Sequence, residues 1–135
     1  MTPDQANTLR AAIDRIIPAD DHASASEAAI DAYLANELCG DLSSFLGTYL
    51  GGLDSLNAES EVRFNVPFSK LGPSDQDALL SDIERGIVNA HWTVPPSEFF
   101  SLLVTHVMDG YYGTTRVAFE MVGFDPRWTA KESAN

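Results

Sequence analysis

The sequence is poor in basic side chains, with eight Lys and Arg residues against twenty Asp and Glu residues. The resulting net charge is −12, whereas proteins that bind nucleic acid use Lys and Arg to neutralise phosphate groups. The same surplus of carboxylates disfavours docking on anionic lipid. We therefore expect no nucleic-acid partner, and a well-solvated acidic surface is the favoured interpretation of the charge.

Cysteine is almost absent, since Cys39 is the only one in 135 residues. A single cysteine excludes an intrachain disulfide and any multi-cysteine zinc or iron–sulfur site within this chain. Cys39 lies at a predicted helix end between Glu37 and Asp41, and this environment disfavours the reactive thiolate. We expect a buried structural cysteine rather than a nucleophile.

Long apolar runs are also missing, because none approaches the roughly 18 residues that a transmembrane helix requires. We therefore expect no direct membrane insertion. The first residues do not contain a charged segment followed by an apolar one, so the sequence as given has no recognisable signal peptide. This predicts a cytoplasmic location for the chain as given.

What the sequence does contain is helical spacing of apolar residues, interrupted by short breaks. The segment Thr2–Gln5 predicts a capped helix start, and Pro18 ends that helix. The pair Ser24 and Glu27 is typical of a capping box and predicts a second helix that ends at Gly40.

The middle of the chain is less regular. Asp41 is expected to cap a third helix, in which the Gly51–Gly52 pair either ends the helix or permits a close helix–helix approach. Residues 57–73 predict an ordered loop pinned by two phenylalanines, because they contain Pro, Gly and Asn among apolar residues. Ser74 is expected to cap the next helix.

A fifth helix is predicted to begin at the Pro95–Pro96 break, with a last short helix capped by Thr114. Strand-like alternation is nearly absent. The sequence therefore predicts an all-α fold, a single compact domain of about six helices with an irregular mid-chain loop. We assign residues 1–128 to this domain and residues 129–135 to a polar C-terminal tail.

Residues with catalytic or metal-binding chemistry are few. The densest polar cluster is Asp20-Asp21-His22, which could hold a cation but is more commonly an acidic loop before a helix cap. His106 precedes Asp109 by three residues and suggests a structural hydrogen-bonded pair rather than a catalytic dyad. His91 lies in a predicted loop, and no glycine-rich nucleotide loop or nucleophile elbow is present. We therefore predict no catalytic, cofactor-binding or metal-binding residue.

Aromatic residues concentrate late in the chain, with eight of the thirteen after residue 90. Neighbouring residues on a helix point about 100° apart, so the Phe99–Phe100 and Tyr111–Tyr112 pairs cannot all enter one narrow core stripe. Two interpretations remain open. Either some of these rings anchor a protein interface, or the fifth helix is central and buried all round.

Three parts of the sequence, taken in order, resemble a known family. They are LRAAIDRIIPADD (9–21) followed by EAAIDAYL (27–34), then FSKLGPSDQDALLSDIERG (68–86), then FFSLLVTHVMDGYYGTTRVAFEMVGFDP (99–126). Their order and separation are similar to those of the gluconate 2-dehydrogenase subunit 3 family, and the resemblance covers nearly the whole chain.

The resemblance implies a small, non-catalytic helical subunit that binds, stabilises and aids maturation of a large FAD-dependent dehydrogenase of the glucose–methanol–choline (GMC) type. Such enzymes oxidise sugars or sugar acids, and a cytochrome c subunit is a further candidate partner. The FAD is expected in the large subunit and not in this chain. Many family members are exported by a twin-arginine leader, so a periplasmic location follows if such a leader was removed or is carried by the partner.

The resemblance gives the surplus aromatic residues a role at a partner interface, which we expect to bury about 2,000 Å² or more. The segments expected to reach the partner are the aromatic C-terminal third and the loop after Pro18. The predicted interface residues are Pro18, Asp20, Asp21, His22, Trp92, Phe100, Tyr111, Tyr112, Phe119, Phe124 and Trp128.

Two other functions compete with the accessory subunit. One is a stand-alone helical binding module that encloses a small apolar ligand, which would also explain the aromatic residues. The other is an enzyme that uses Asp20, Asp21 and His22 with a bound metal, which metal analysis of purified protein would decide.

Overall fold

A computed structural model describes the backbone of residues 1–122 and the side chains of residues 1–113. Over this part the chain is all-helical, which confirms the predicted fold class. Its five α-helices are α1 (Pro3–Ile16), α2 (Ile30–Leu38), α3 (Leu46–Phe64), α4 (Pro73–Glu84) and α5 (Pro96–Val122). Two short 3-10 helices, Ser43–Phe45 and Phe68–Lys70, precede α3 and α4.

The predicted sixth helix is part of α5 rather than a separate element. α5 continues through Gly110, Gly113 and Thr114 without a break, so the described chain has five α-helices instead of six. Packing explains why a glycine occupies position 110 inside the helix, because a Cβ atom there would lie 2.6 Å from the ring of Tyr33. The glycine lets α2 approach α5 closely, so its cost within the helix is offset by this contact.

Two capping boxes form, but only one begins an α-helix. At α1, the Gln5 amide donates to Thr2 Oγ1 (3.1 Å) and the Thr2 amide donates to Gln5 Oε1 (2.8 Å), as predicted. Ser24 and Glu27 exchange the equivalent bonds at 3.2 and 2.8 Å. However, Ala29 adopts a left-handed conformation with φ of 61°, so the Ser24 box stabilises a turn and α2 begins later than predicted.

The glycine pair in α3 serves helix packing. α3 runs unbroken past it, and a Cβ atom on Gly52 would lie 2.1 Å from the ring of Phe99. The second of the two alternatives, a close helix–helix approach, is therefore correct. Asp41 does not cap α3, because the 3-10 helix Ser43–Phe45 intervenes and Phe45 takes the N-cap position.

The mid-chain loop is shorter than predicted. Residues 57–64 belong to α3, which ends where Asn65 adopts a left-handed conformation. Phe68 is fully buried and pins the remaining loop, whereas Phe64 is 37% exposed. Pro73 is the first residue of α4, so Ser74 does not cap it.

The core surrounds α5, which contacts each of the other four helices. Its buried residues Phe99, Leu103, Val107 and Tyr111 recur at four-residue spacing, while Phe100 is half-buried against the core. α5 is therefore central, but it is not buried all round, because Ser101, Thr105 and Asp109 form an exposed stripe along it.

Candidate functional site

Two segments predicted to reach a partner lie side by side. The Tyr111 hydroxyl donates to the backbone carbonyl of Ala23 at 2.7 Å, which fixes the loop after Pro18 against α5. Pro18, Asp20 and Asp21 are exposed, and His22 is half-buried. The fold therefore joins the 18–23 loop and this part of α5 into one surface region, which we call the loop–α5 region.

Tyr111 belongs mainly to the core of this region, because it is only 2% exposed. Burial raises the pKa of Tyr111, and the nearby carboxylates of Asp20 and Glu27 raise it further, so its hydroxyl stays protonated. Tyr112 beside it is half-buried. The interface role of both rings stays a prediction, and Tyr111 in addition supports the fold of this chain.

Trp92 lies elsewhere on the molecule. Its ring packs on Phe99 with a centroid distance of 6.1 Å, and Phe99 precedes Tyr111 by twelve residues, or roughly 18 Å of helix. Trp92 and Phe100 are thus at the opposite end of the described core from Tyr111. The side chains of three further predicted interface residues, Phe119, Phe124 and Trp128, lie outside the described residues.

A buried carboxylate explains why Trp92 is held in place. Glu59 is fully buried, and it accepts four hydrogen bonds from the segment 89–92 and from its own helix. The donors are the Asn89 amide (2.7 Å), the Ala90 amide (2.9 Å), Trp92 Nε1 (3.0 Å) and Arg63 Nε (2.8 Å). We call this group the Glu59 cluster.

The Glu59 cluster continues through Arg63, which also binds Asp82 (2.7 Å) and the Ile87 carbonyl (2.9 Å). Burial raises the pKa of Glu59, but the hydrogen bonds outweigh it and leave the pKa below its ordinary value, so the carboxylate stays ionised. Its oxygens are saturated with donors, which suits a structural anchor rather than a general base. Glu59 was not among the predicted site residues, although its spacing from Arg63 is that of a typical helical ion pair.

His106 forms a second buried polar contact. Its Nδ1 lies 2.8 Å from the Tyr49 hydroxyl, and the two rings stack with centroids 5.8 Å apart. Burial lowers the pKa of His106, and Asp109 opposes this shift only in part. His106 was predicted to pair with Asp109, but its hydrogen bond is formed with Tyr49, which the spacing along the chain could not indicate.

The Asp20-Asp21-His22 cluster folds back on itself. The His22 amide donates to Asp20 Oδ1 at 2.9 Å, and the Asp20 amide donates to the His22 carbonyl at 3.2 Å. Within the described residues, no group of three or more His, Cys, Asp or Glu side chains is arranged to hold a metal ion. His91 is exposed on its loop.

Cys39 is exposed, so the prediction that it is buried was wrong. The core face of α2 consists of Ile30, Leu34 and Leu38 at four-residue spacing. Cys39 follows Leu38 by about 100° around the helix axis, which directs it away from that face.

Two cavities are lined by charged side chains. The first, about 190 Å³, lies between α2 and α5, and the second, about 370 Å³, lies between α1 and the second 3-10 helix. The second is lined by Asn7, Arg10, Ala11, Asp14, Ser69 and Lys70. Charged side chains line part of both cavities, unlike the predominantly apolar site expected for an apolar ligand.

None of the described helices is long and apolar enough to cross a membrane.

Comparisons with known proteins assign the chain to one family. No curated protein and no solved structure matches the chain. The family model of gluconate 2-dehydrogenase subunit 3 matches residues 3–126, which is nearly the full length. The chain therefore belongs to the gluconate 2-dehydrogenase subunit 3 family.

Proposed function

We propose that this chain is the non-catalytic small subunit of a dehydrogenase complex. It binds, stabilises and aids maturation of a large FAD-dependent dehydrogenase of the GMC type that oxidises a sugar or sugar acid. The family match over residues 3–126 carries this proposal, because it names a subunit of a dehydrogenase. The FAD belongs to the large subunit, and a cytochrome c subunit is a further candidate partner of the complex.

The use that the fold makes of its ionisable groups supports a role without catalysis. The Glu59 carboxylate accepts four hydrogen bonds, and His106 Nδ1 is paired with Tyr49. Both are engaged in holding helices and loops together, as is expected of structural groups. The work of the subunit is then to present a surface to the large subunit.

The loop–α5 region is the best candidate for that surface. Exposed Pro18, Asp20 and Asp21 belong to the loop that is bonded through Ala23 to Tyr111 of α5. The sequence places Phe119, Phe124 and Trp128 shortly after this point, and large aromatic residues are common anchors of interfaces. We propose that these aromatic residues and the 18–22 loop contact the large subunit together.

Co-expression tests the subunit role. A GMC-type flavoenzyme that co-purifies with this chain from the native host is produced with and without it, and the soluble yield, bound FAD and dehydrogenase activity of the large subunit are measured. We expect all three to fall strongly when the small subunit is omitted. Equal yield, FAD content and activity in both preparations would contradict the proposal.

Variants then locate the interface. A triple variant with Phe119→Ala, Phe124→Ala and Trp128→Ala should reduce co-purification with the large subunit at least tenfold, since hot-spot residues each contribute about 2 kcal/mol or more. The control is Val62→Ala, because Val62 is 61% exposed on α3 and is not part of the loop–α5 region. Equal co-purification of both variants would place the interface elsewhere on the chain.

The proposed function also predicts where the chain is located in the cell, because a subunit that aids maturation must meet its partner before or during export. We propose that the chain is located with the large subunit, in the periplasm if a twin-arginine leader directs the complex there. Fractionation of the native host, with detection of both subunits, tests this point.

A further inference from the structure

One side of α5 is uncovered, although this helix is the centre of the fold. α5 contacts each of the other four helices, which bury one row of its side chains. The opposite side carries four residues that are exposed or half-buried, which we call the α5 seam. They are Ser101, Thr105, Met108 and Tyr112.

Helical spacing aligns the α5 seam. Its members follow one another at intervals of four, three and four residues, which places them within about 60° around the helix axis and along roughly 16 Å of its length. This is the spacing by which one helix packs against a second helix. Ser101 and Thr105 are small enough to let a second backbone approach closely, while Met108 and Tyr112 offer a thioether and an aromatic ring.

The α5 seam is continuous with the surface proposed to bind the large subunit. Tyr112 follows Tyr111, whose hydroxyl donates to the Ala23 carbonyl of the 18–23 loop at 2.7 Å. A stable interface takes roughly 20–30 residues from each partner, so the short 18–23 loop needs adjoining surface. The α5 seam adjoins the loop through these two tyrosines.

The charge beside the α5 seam indicates the chemistry of its partner. No Lys or Arg occurs between Arg85 and Arg116 in the sequence, and Glu98 and Asp109 border the seam on α5 itself. The arginines whose side chains the structure describes form ion pairs elsewhere in the fold. A segment that packs on the seam therefore meets two carboxylates, which favours one that carries Lys or Arg beside its apolar side chains.

We propose that an α-helix of the large dehydrogenase subunit docks along the α5 seam. This inference rests on the proposed function and adds the chemistry of the partner element, a helix with an apolar row flanked by Lys or Arg. The family match names a subunit, so the occupant is the partner rather than a second copy of this chain. The small residues admit the backbone of the partner helix, and Met108 and Tyr112 contact its apolar side chains.

Cysteine footprinting tests which molecule covers the α5 seam. Cys39→Ser removes the only cysteine, and Thr105→Cys then places one on the seam, with Ser81→Cys at an exposed position of α4 as the control. In the free subunit we expect iodoacetamide to alkylate both at similar rates. In the complex the rate at position 105 should fall about tenfold or more, and the rate at position 81 should not change. Slow alkylation at position 105 in the free subunit would overturn the proposal, because this chain or a second copy would then cover the seam.

Charge variants test the chemistry of the partner helix. Glu98→Gln with Asp109→Asn removes the two carboxylates beside the seam, and the control pair Asp75→Asn with Glu84→Gln removes the same charge from exposed positions of α4. We expect the first pair to slow association with the large subunit several-fold at low salt and the control pair to change it little. Equal association rates for the two pairs would show that Lys or Arg does not flank the partner helix.

Bulky substitutions test whether binding needs the α5 seam. Ser101→Arg combined with Thr105→Arg should reduce co-purification with the large subunit about tenfold or more, because the new side chains fill the space of the partner helix. Ser81→Arg is the control and should co-purify like the wild type. All three positions are exposed, so the Tm of each free variant should stay within about 3 °C of the wild type. Equal co-purification of the double variant and the wild type would overturn this inference alone, whereas a wild type that does not co-purify would overturn the proposed function and this inference with it.

Discussion

Glu59 and His106 are both buried ionisable side chains, and each bonds to an aromatic residue that packs on Phe99. That residue is Trp92 for Glu59 and Tyr49 for His106. The two side chains differ in the number of hydrogen bonds that their polar atoms form. Glu59 accepts four hydrogen bonds and lies in a network that includes Arg63. His106 has one partner, Tyr49. Glu59 is therefore buried in its ionised form, whereas burial favours the neutral form of His106.

The difference indicates how the two regions serve the protein. A buried carboxylate with every oxygen occupied fixes the loop 87–93 onto α3, and its removal leaves buried donors unpaired. The contact between His106 and Tyr49 is a single hydrogen bond between neutral groups, and such bonds contribute about 1 kcal/mol to stability. We therefore expect changes in the Glu59 cluster to lower the stability of the fold more than changes at His106.

The largest expected effect comes from Glu59→Ala. The substitution leaves four donors without an acceptor, one of which is Nε of the cationic Arg63, so the free energy of unfolding should fall by about 3–5 kcal/mol. Urea unfolding measures this loss, with Glu61→Ala as the control because Glu61 is exposed on the same helix. A loss for Glu59→Ala as small as for Glu61→Ala would remove the distinction between the two regions.

Gly52→Ala tests the packing that joins the regions. Phe99 contacts both Trp92 and Tyr49, and an added Cβ at Gly52 would lie 2.1 Å from its ring. We expect a loss of about 1–3 kcal/mol in the free energy of unfolding. Gly47→Ala in the same helix meets no atom within 4 Å and should stabilise by up to about 1 kcal/mol. Effects of the same sign at both positions would contradict the close contact between Phe99 and α3.

Acid should weaken the Glu59 cluster. The folded pKa of Glu59 lies below its ordinary value of 4.5, so its contribution to stability is present above pH 4.5 and is lost as the pH falls through the folded pKa. The free energy of unfolding of the wild type should therefore decrease below about pH 4.5 more steeply than that of Glu59→Gln. Parallel pH profiles for the two proteins would show that Glu59 is not stabilised in its ionised form.

The smallest expected effect concerns His106. Its folded pKa lies below its ordinary value of 6.5, so its contribution is present above pH 6.5 and is lost as the pH falls through the folded pKa. NMR titration of the ring should give a pKa below 6.5. A pKa above 6.5 would mean that the charge of Asp109 outweighs burial.

Local patterns in the sequence predicted much of the fold, because caps and apolar spacing act over a few residues. Thr2 and Gln5 form the predicted capping box, and Pro96 begins α5 as expected. The errors arose where contacts distant in sequence decide. The Ser24 box is formed but is overridden by the left-handed Ala29, and Gly110 continues a helix because Tyr33 packs against it.

The candidate sites were less predictable than the fold. Neither the donors from residues 89–92 to Glu59 nor the pairing of Tyr49 with His106 is visible in sequence, since about thirty and fifty-seven positions separate the partners. The juxtaposition of the 18–23 loop with Tyr111 likewise depends on the tertiary fold. The residue types of the predicted interface could be chosen from the sequence. Which of these residues are neighbours depends on the fold.

Native mass spectrometry of the co-expressed and affinity-purified small subunit shows whether this chain binds a large flavoenzyme. If the chain acts by binding a large flavoenzyme, the main species should have the mass of the large subunit with FAD plus the 14.7 kDa of this chain. The result that would contradict the account is a free 14.7 kDa chain beside a large subunit that carries its full FAD alone.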